Sequence, residues 1–215
     1  LVVLLAVLAG SKSDVESAAP AGDIQAVATD LDAFWHNTFL AADMDYVPAA
    51  GVVAVDPAVE SACGEHDESD GPASYCLLDQ TIYYSPAWRR IIEEETGLLG
   101  WGAVMAHEWG HHVQGQLGIW KGVAPGLGIG VYSIDLELQA DCLGGTYIRD
   151  VEAQGWIEGD DVRDAATLTR LFGDRPGSAW DDPEAHGTGP QRVRAFTRGY
   201  EDGPPGCGLT TLDAE

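Results

Sequence analysis

Residues 106–114 read Ala106-His107-Glu108-Trp109-Gly110-His111-His112-Val113-Gln114, and the spacing of His107 and His111 governs how the rest of the chain is read. Side chains at i and i+4 stand one above the other on a helix face. Both imidazoles can therefore reach one tetrahedral Zn²⁺ at about 2.0–2.1 Å. Glu108 lies about 100° further round the helix, beside the position that such a metal leaves open. There a carboxylate can take a proton from zinc-bound water as a general base. His112 is turned about 100° from His111, so it cannot join the same ion and is expected to pack or to support the site.

A catalytic zinc takes three protein ligands and keeps a fourth position open. The loop after His111 contains no histidine. A metzincin would carry Gly and His where Gln114 and Leu117 stand, which excludes that class. Downstream the chain reads Glu137-Leu138-Gln139-Ala140-Asp141, with Glu137 and Asp141 on one face of the next predicted helix. This is the pattern of a His₂Glu centre. Glu137 is expected to bind the metal and Asp141 to accept the outward N–H of a ligating histidine, fixing its tautomer. The plainer reading is a pair of core histidines and a solvated Glu/Asp face. Cys142 points off the carboxylate face. His186, in a loop before a helix, could donate to a developing oxyanion or simply bond the start of that helix. His36 and His66 have no motif around them.

Outward from this motif the chain is mostly helical. Ile24, Val27, Leu31, Phe34, Trp35 and Phe39 recur at helical spacing, with Asp23 placed to cap the first turn. Val52–Val55 and Tyr75–Tyr84 are the best strand candidates. Ser85-Pro86 opens a helix over Ala87–Thr96 that Gly97 stops. Leu98–Leu117 follows as a helix whose glycines, Gly100, Gly102, Gly110 and Gly115, predict close packing. Residues 118–130 are a glycine-rich connection. Gly126-Leu127-Gly128-Ile129-Gly130 has no preceding strand and no following Lys, which argues against a nucleotide loop. Three more helices are expected: Ser133 to about Ala153, Asp160 or Asp161 to Phe172, and Gln191 to Tyr200. Helices follow strands more than they alternate with them, an α+β pattern with a small sheet and two metal-binding helices.

With 215 residues the chain fits one domain, here 23–207, between an N-terminal segment 1–22 and a tail 208–215. Its formal charge is −24, from 35 acidic and 11 basic residues, so no basic stripe exists to bind nucleic acid or an anionic membrane. Solvation in a salty or extracellular medium accounts for such acidity more simply than a basic substrate does. Leu1–Gly10 is an apolar run that reads as part of a signal or anchor segment. It is too short to span a bilayer, and a buried strand is its other reading. Cys63, Cys76, Cys142 and Cys207 contain no C-x-x-C, and in an exported protein they read as two disulfides. Of the three pairings, Cys63 with Cys76 and Cys142 with Cys207 is preferred, the first closing a short polar loop and the second pinning the C-terminal region to a helix.

Several stretches together resemble the bacterial putative neutral zinc metallopeptidases, a zincin-like group of the gluzincin type. They are Ala106–Gln114, Glu137–Cys142 and His186-Gly187-Thr188-Gly189-Pro190-Gln191-Arg192-Val193, with support from Tyr75-Cys76, Asp79–Tyr83 and Gly199-Tyr200 before Cys207. The resemblance runs from about Trp35 to Cys207. It implies a zincin-like domain in which His107, His111 and Glu137 bind zinc, Glu108 is the general base and His186 assists. It also implies that the Tyr75–Tyr84 strand lines the cleft, where an extended peptide could add as a further strand. The expected activity is zinc-dependent endopeptidase action on a peptide or protein substrate, outside the cytoplasm. Family members often carry an N-terminal membrane anchor, and both an anchored and a released protein fit residues 1–22. The alternatives are a zinc-containing envelope protein that binds partners without turnover, and a small-molecule metallohydrolase.

Overall fold

Helix α2 (Pro86–Gln116) runs through the middle of the molecule and carries the histidine motif. Ser85 accepts a bond from the Trp88 N–H and Pro86 fills the first turn, so the N-terminus is capped as its sequence dictates. Gly97 does not end the helix. It adopts φ 70°, ψ −173°, a conformation open to glycine, and puts a kink between two helical pieces. Beyond the kink almost every residue from Gly100 to Gln114 is buried.

The computed structural model describes residues 24–122, 133–179, 181–182 and 185–212. The N-terminal apolar run, Asp23, the Gly126–Gly130 stretch and the last three residues lie outside the described residues. α1 (Ile24–Ala41) buries Leu31, Trp35 and Phe39. Its Asp32 Oδ1 accepts bonds from Trp109 Nε1 (3.0 Å), Tyr46 Oη (2.7 Å) and the Ala49 N–H (3.2 Å), tying the motif helix to α1 and to the segment after it. α3 (Ser133–Ala153), α4 (Gly159–Leu171) and α5 (Gly189–Asp202) complete the helical layer, with α3 packed most extensively against α5 and α2.

The α2/α3 crossing is built from small residues one turn apart on each helix: Ala106 and Gly110 face Ala140 and Gly144. A Cβ added to Gly110 would lie 2.8 Å from the Ala140 Cα. Backbones therefore approach directly, and the residues beside this seam are His107 and His111 on one helix, Glu137 and Asp141 on the other.

A three-stranded sheet lies beside α2 in the order β1 (Gly51–Ala54), β5 (Thr81–Tyr84), β4 (Ala73–Cys76). β1 runs parallel to β5, and β4 pairs with β5 antiparallel through Tyr75 opposite Ile82. The Tyr75–Tyr84 region is thus two strands joined by a turn in which Gln80 takes φ 58°. Between β1 and β4 sits a hairpin, β2 (Ala58–Ser61) with β3 (Gly64–Asp67). The Cys63–Cys76 disulfide ties it to β4, and Cys142–Cys207 ties α3 to the turn after α5. The molecule is a mostly helical α+β domain. Among the described residues no helix is long and apolar enough to cross a membrane.

Candidate metal centre

His107 and His111 project from α2 toward Glu137 on α3, and ligand atoms of the three lie within 4.8 Å of one another. His107 Nε2 is 3.1 Å from Glu137 Oε2, and His111 Nε2 is 3.3 Å from Oε1. Donor atoms at about 2.0–2.1 Å from one tetrahedral zinc are separated by about 3.3 Å. The two histidine–carboxylate separations match this spacing, and two imidazoles with a carboxylate are the donor set of a His₂Glu zinc site. Burial opposes charge on all three groups, but their mutual attraction outweighs it. Glu137 is held well below the usual carboxylate range by His111 and His107, and His107 is pushed up to about 10 by Asp141 and Glu137.

Asp141, one turn after Glu137, places Oδ1 2.9 Å from His107 Nδ1. The same carboxylate is gripped by Arg192 of α5, with Nε to Oδ2 at 2.7 Å and Nη2 to Oδ1 at 2.8 Å. Arg192 Nη1 also donates to the Phe172 carbonyl (2.9 Å), which fixes the guanidinium to the end of α4. Asp141 and Arg192 are only 3% and 6% exposed, so this fork is a buried ion pair with its hydrogen bonds made. On the other histidine, His111 Nδ1 lies 2.9 Å from Oε1 of the fully buried Gln114.

A cleft of about 400 Å³ opens over these groups. His107, Glu108, His111, Glu137 and Asp141 face it from α2 and α3, Asp70–Tyr75 form one wall, and Leu168, Phe172 and His186 face it from α4 and the loop before α5. Burial raises the Glu108 carboxyl above its ordinary value, offset in part by the neighbouring histidines. His186 is half exposed. Its loop is held by Asp174 Oδ2, which accepts the His186 and Gly187 N–H groups at 2.9 and 2.8 Å. β4, which contributes Ala73–Tyr75 to the wall, is an edge strand of its sheet. His112 points away from the cleft centre: its Nε2 meets the Val47 carbonyl (2.8 Å) and its Nδ1 meets Tyr75 Oη (3.0 Å).

The model of the family described as putative neutral zinc metallopeptidase matches residues 9–210. The chain belongs to this family. Among curated relatives, the uncharacterized protein YpfJ of Escherichia coli (strain K12) is 33% identical over 160 residues, covering 67% of this chain and 55% of the relative. The uncharacterized protein Rv2575 of Mycobacterium tuberculosis (strain ATCC 25618 / H37Rv) is 31% identical over 171 residues, covering 68% of this chain and 57% of that protein. The chain thus spans little more than half the length of the curated relatives it matches. No solved structure matches it.

For this member of the zinc metallopeptidase family, all six candidate residues read from the sequence line the one cleft. Residue type and spacing in the sequence assign no role to Arg192 or Gln114. Arg192 lies 51 residues beyond Asp141, and nothing local announces such a pairing. Gln114 did carry a signal, since it stands three residues after His111 on the same helix face.

Proposed function

We propose that the protein is a zinc-dependent endopeptidase acting outside the cytoplasm on extended segments of peptide or protein. The observation that carries this reading is the convergence of His107 Nε2, His111 Nε2 and the Glu137 carboxylate in an open cleft that Glu108 also faces. A zinc ion held by these three side chains would supply Lewis acidity, polarising a water molecule and the substrate carbonyl. Glu108 takes the proton from the attacking water and delivers it to the departing amine. Its burial keeps its basicity above that of a surface carboxylate, against the pull of the neighbouring histidines, which suits this exchange. His186, at the cleft margin, donates to the oxygen on which negative charge develops. Asp141, gripped by Arg192, accepts the Nδ1–H of His107 and leaves Nε2 free to bind.

The open groove beside an edge strand favours a polypeptide over a small molecule. Two disulfides support residence in an oxidising compartment. The test compares the purified zinc-loaded protein with Glu108→Gln on an unstructured protein substrate. Cleavage is expected for the wild type, with a loss of about 10²–10⁴-fold in the variant. Equal cleavage by both would overturn the assignment.

A further inference from the structure

The environment of His111 differs in kind from that of His107. His107 Nδ1 faces a carboxylate, whereas His111 Nδ1 faces a neutral amide belonging to a line of groups that continues to the far side of α3. We propose that Gln114 and Gln139 are positioning residues that fix the tautomer of His111 through a polar relay anchored on the backbone carbonyl of Cys207. The proposal rests on the reading of His111 as a metal ligand.

A glutamine side chain has a donor end and an acceptor end of nearly equal shape, and its neighbours decide which way it faces. The Cys207 carbonyl can only accept. The Gln139 group 3.0 Å from it must be the NH₂, which turns Gln139 Oε1 toward Gln114. Gln114 Nε2 spends one hydrogen on that oxygen (3.0 Å) and the other on the Leu136 carbonyl (2.8 Å). Its Oε1 is left facing His111 Nδ1 at 2.9 Å, so Nδ1 must carry the hydrogen and Nε2 the lone pair. Reversing Gln114 would set its oxygen against the Leu136 carbonyl and against Gln139 Oε1. Gln114 is 0% exposed, so water cannot relieve those contacts.

The far end of the relay is held as firmly. Cys207 lies in the short turn Pro204–Cys207 and is bonded to Cys142, three residues after Gln139 on α3. One disulfide therefore keeps the Cys207 carbonyl in register with the amide it orients. The arrangement also adds no charge: the Asp141 carboxylate beside His107 is matched by Arg192, and His111 is oriented by neutral groups alone.

The experiment measures zinc affinity by chelator competition for the wild type, Gln114→Leu and Gln139→Leu, and follows the ¹⁵N-correlated Nδ1–H resonance of His111 in the zinc-loaded proteins. Affinity is expected to fall 10–100-fold in Gln114→Leu and by about tenfold in Gln139→Leu. The slowly exchanging Nδ1–H signal of the wild type should be lost in the first variant and exchange faster in the second. Gln139 is only partly buried, so its variant keeps the proposal testable should Gln114→Leu fail to fold. Wild-type affinity together with an unchanged His111 signal in a folded variant would overturn the relay while leaving the metal site standing. A wild type that does not bind zinc would overturn the metal site and the relay together.

Discussion

Asp141 serves two partners because its two oxygens are divided between them: Oδ1 meets His107 and Arg192 Nη2, and Oδ2 meets Arg192 Nε. Removing one member of a buried pair leaves the other charged and unpaired, which costs about 3–5 kcal/mol. Arg192→Met is therefore expected to lose stability on that scale in urea unfolding, and to weaken zinc binding because the His107 partner is no longer held. Asp141→Asn should weaken zinc binding by about 10–100-fold, and because it leaves the buried Arg192 guanidinium without a counter-charge it should lower the urea midpoint on the same scale.

His112 makes a different prediction, in pH. Burial is the main influence on it and lowers its pKa, and its two ring nitrogens are committed, Nε2–H to the Val47 carbonyl and Nδ1 as acceptor from Tyr75 Oη. The unfolded chain takes up a proton near pH 6.5 that the folded chain refuses. Stability should thus be lost as pH falls from about 6.5 toward the folded value. His107 and His111, whose values are raised, act in the opposite sense over the same range, so the check is the difference between wild type and His112→Gln: on going from pH 7.5 to 5.5 the wild type is expected to lose more, or gain less, melting temperature than the variant.

At the scale of elements, the α2/α3 seam decides whether the three candidate ligands meet. Gly110→Ala would press a methyl against the Ala140 backbone and is expected to destabilise by about 1–3 kcal/mol. Parting the helices should lower zinc affinity as well, and chelator competition reads that directly.

The helices of this layer were legible because apolar positions recur at helical spacing, as in α1, and because Ser85-Pro86 marks the start of α2; the start of α5, capped by Thr188 with Gln191, lies ahead of the Gln191 at which the sequence places it. The β2/β3 hairpin was not, since Val59 opposite His66 is all that its inward face offers in place of an apolar alternation, and the pairing depends on a turn beside a disulfide. Tyr75–Tyr84 read as one candidate because Cys76, Leu77 and Leu78 carry the apolar run from Tyr75 as far as Asp79, and only the left-handed Gln80 marks the reversal. The small residues Ala106, Gly110, Ala140 and Gly144 were visible singly. Their meaning lay in facing one another, a relation between two helices that spacing within either one cannot express.

Over the whole molecule, stability should depend on linkages that hold distant segments together. The Cys63–Cys76 bond spans 13 residues and Cys142–Cys207 spans 65. Loop-closure entropy assigns them about 3 and about 4 kcal/mol. Paired serine replacements of the first should lower the urea midpoint accordingly while leaving zinc affinity near wild type, because that bond meets β4 and not the histidines. Zinc itself should raise the melting temperature, by an amount equivalent to about 2.7 kcal/mol at a free concentration of 100 times its Kd. A melt repeated with a strong chelator should lose that increment.

The order of these parts along the chain has a consequence in time. Both ligand-bearing helices precede Arg192 and Cys207, the residues that lock Asp141 and anchor the amides behind His111. As the polypeptide grows from its N-terminus, α2 and α3 can dock early, yet the surroundings of both histidines remain unfinished until α5 arrives and the last sulfur is oxidised. On the proposed function, an incomplete chain would hold zinc loosely, so a nascent or truncated copy would carry little risk of cleaving before it is finished.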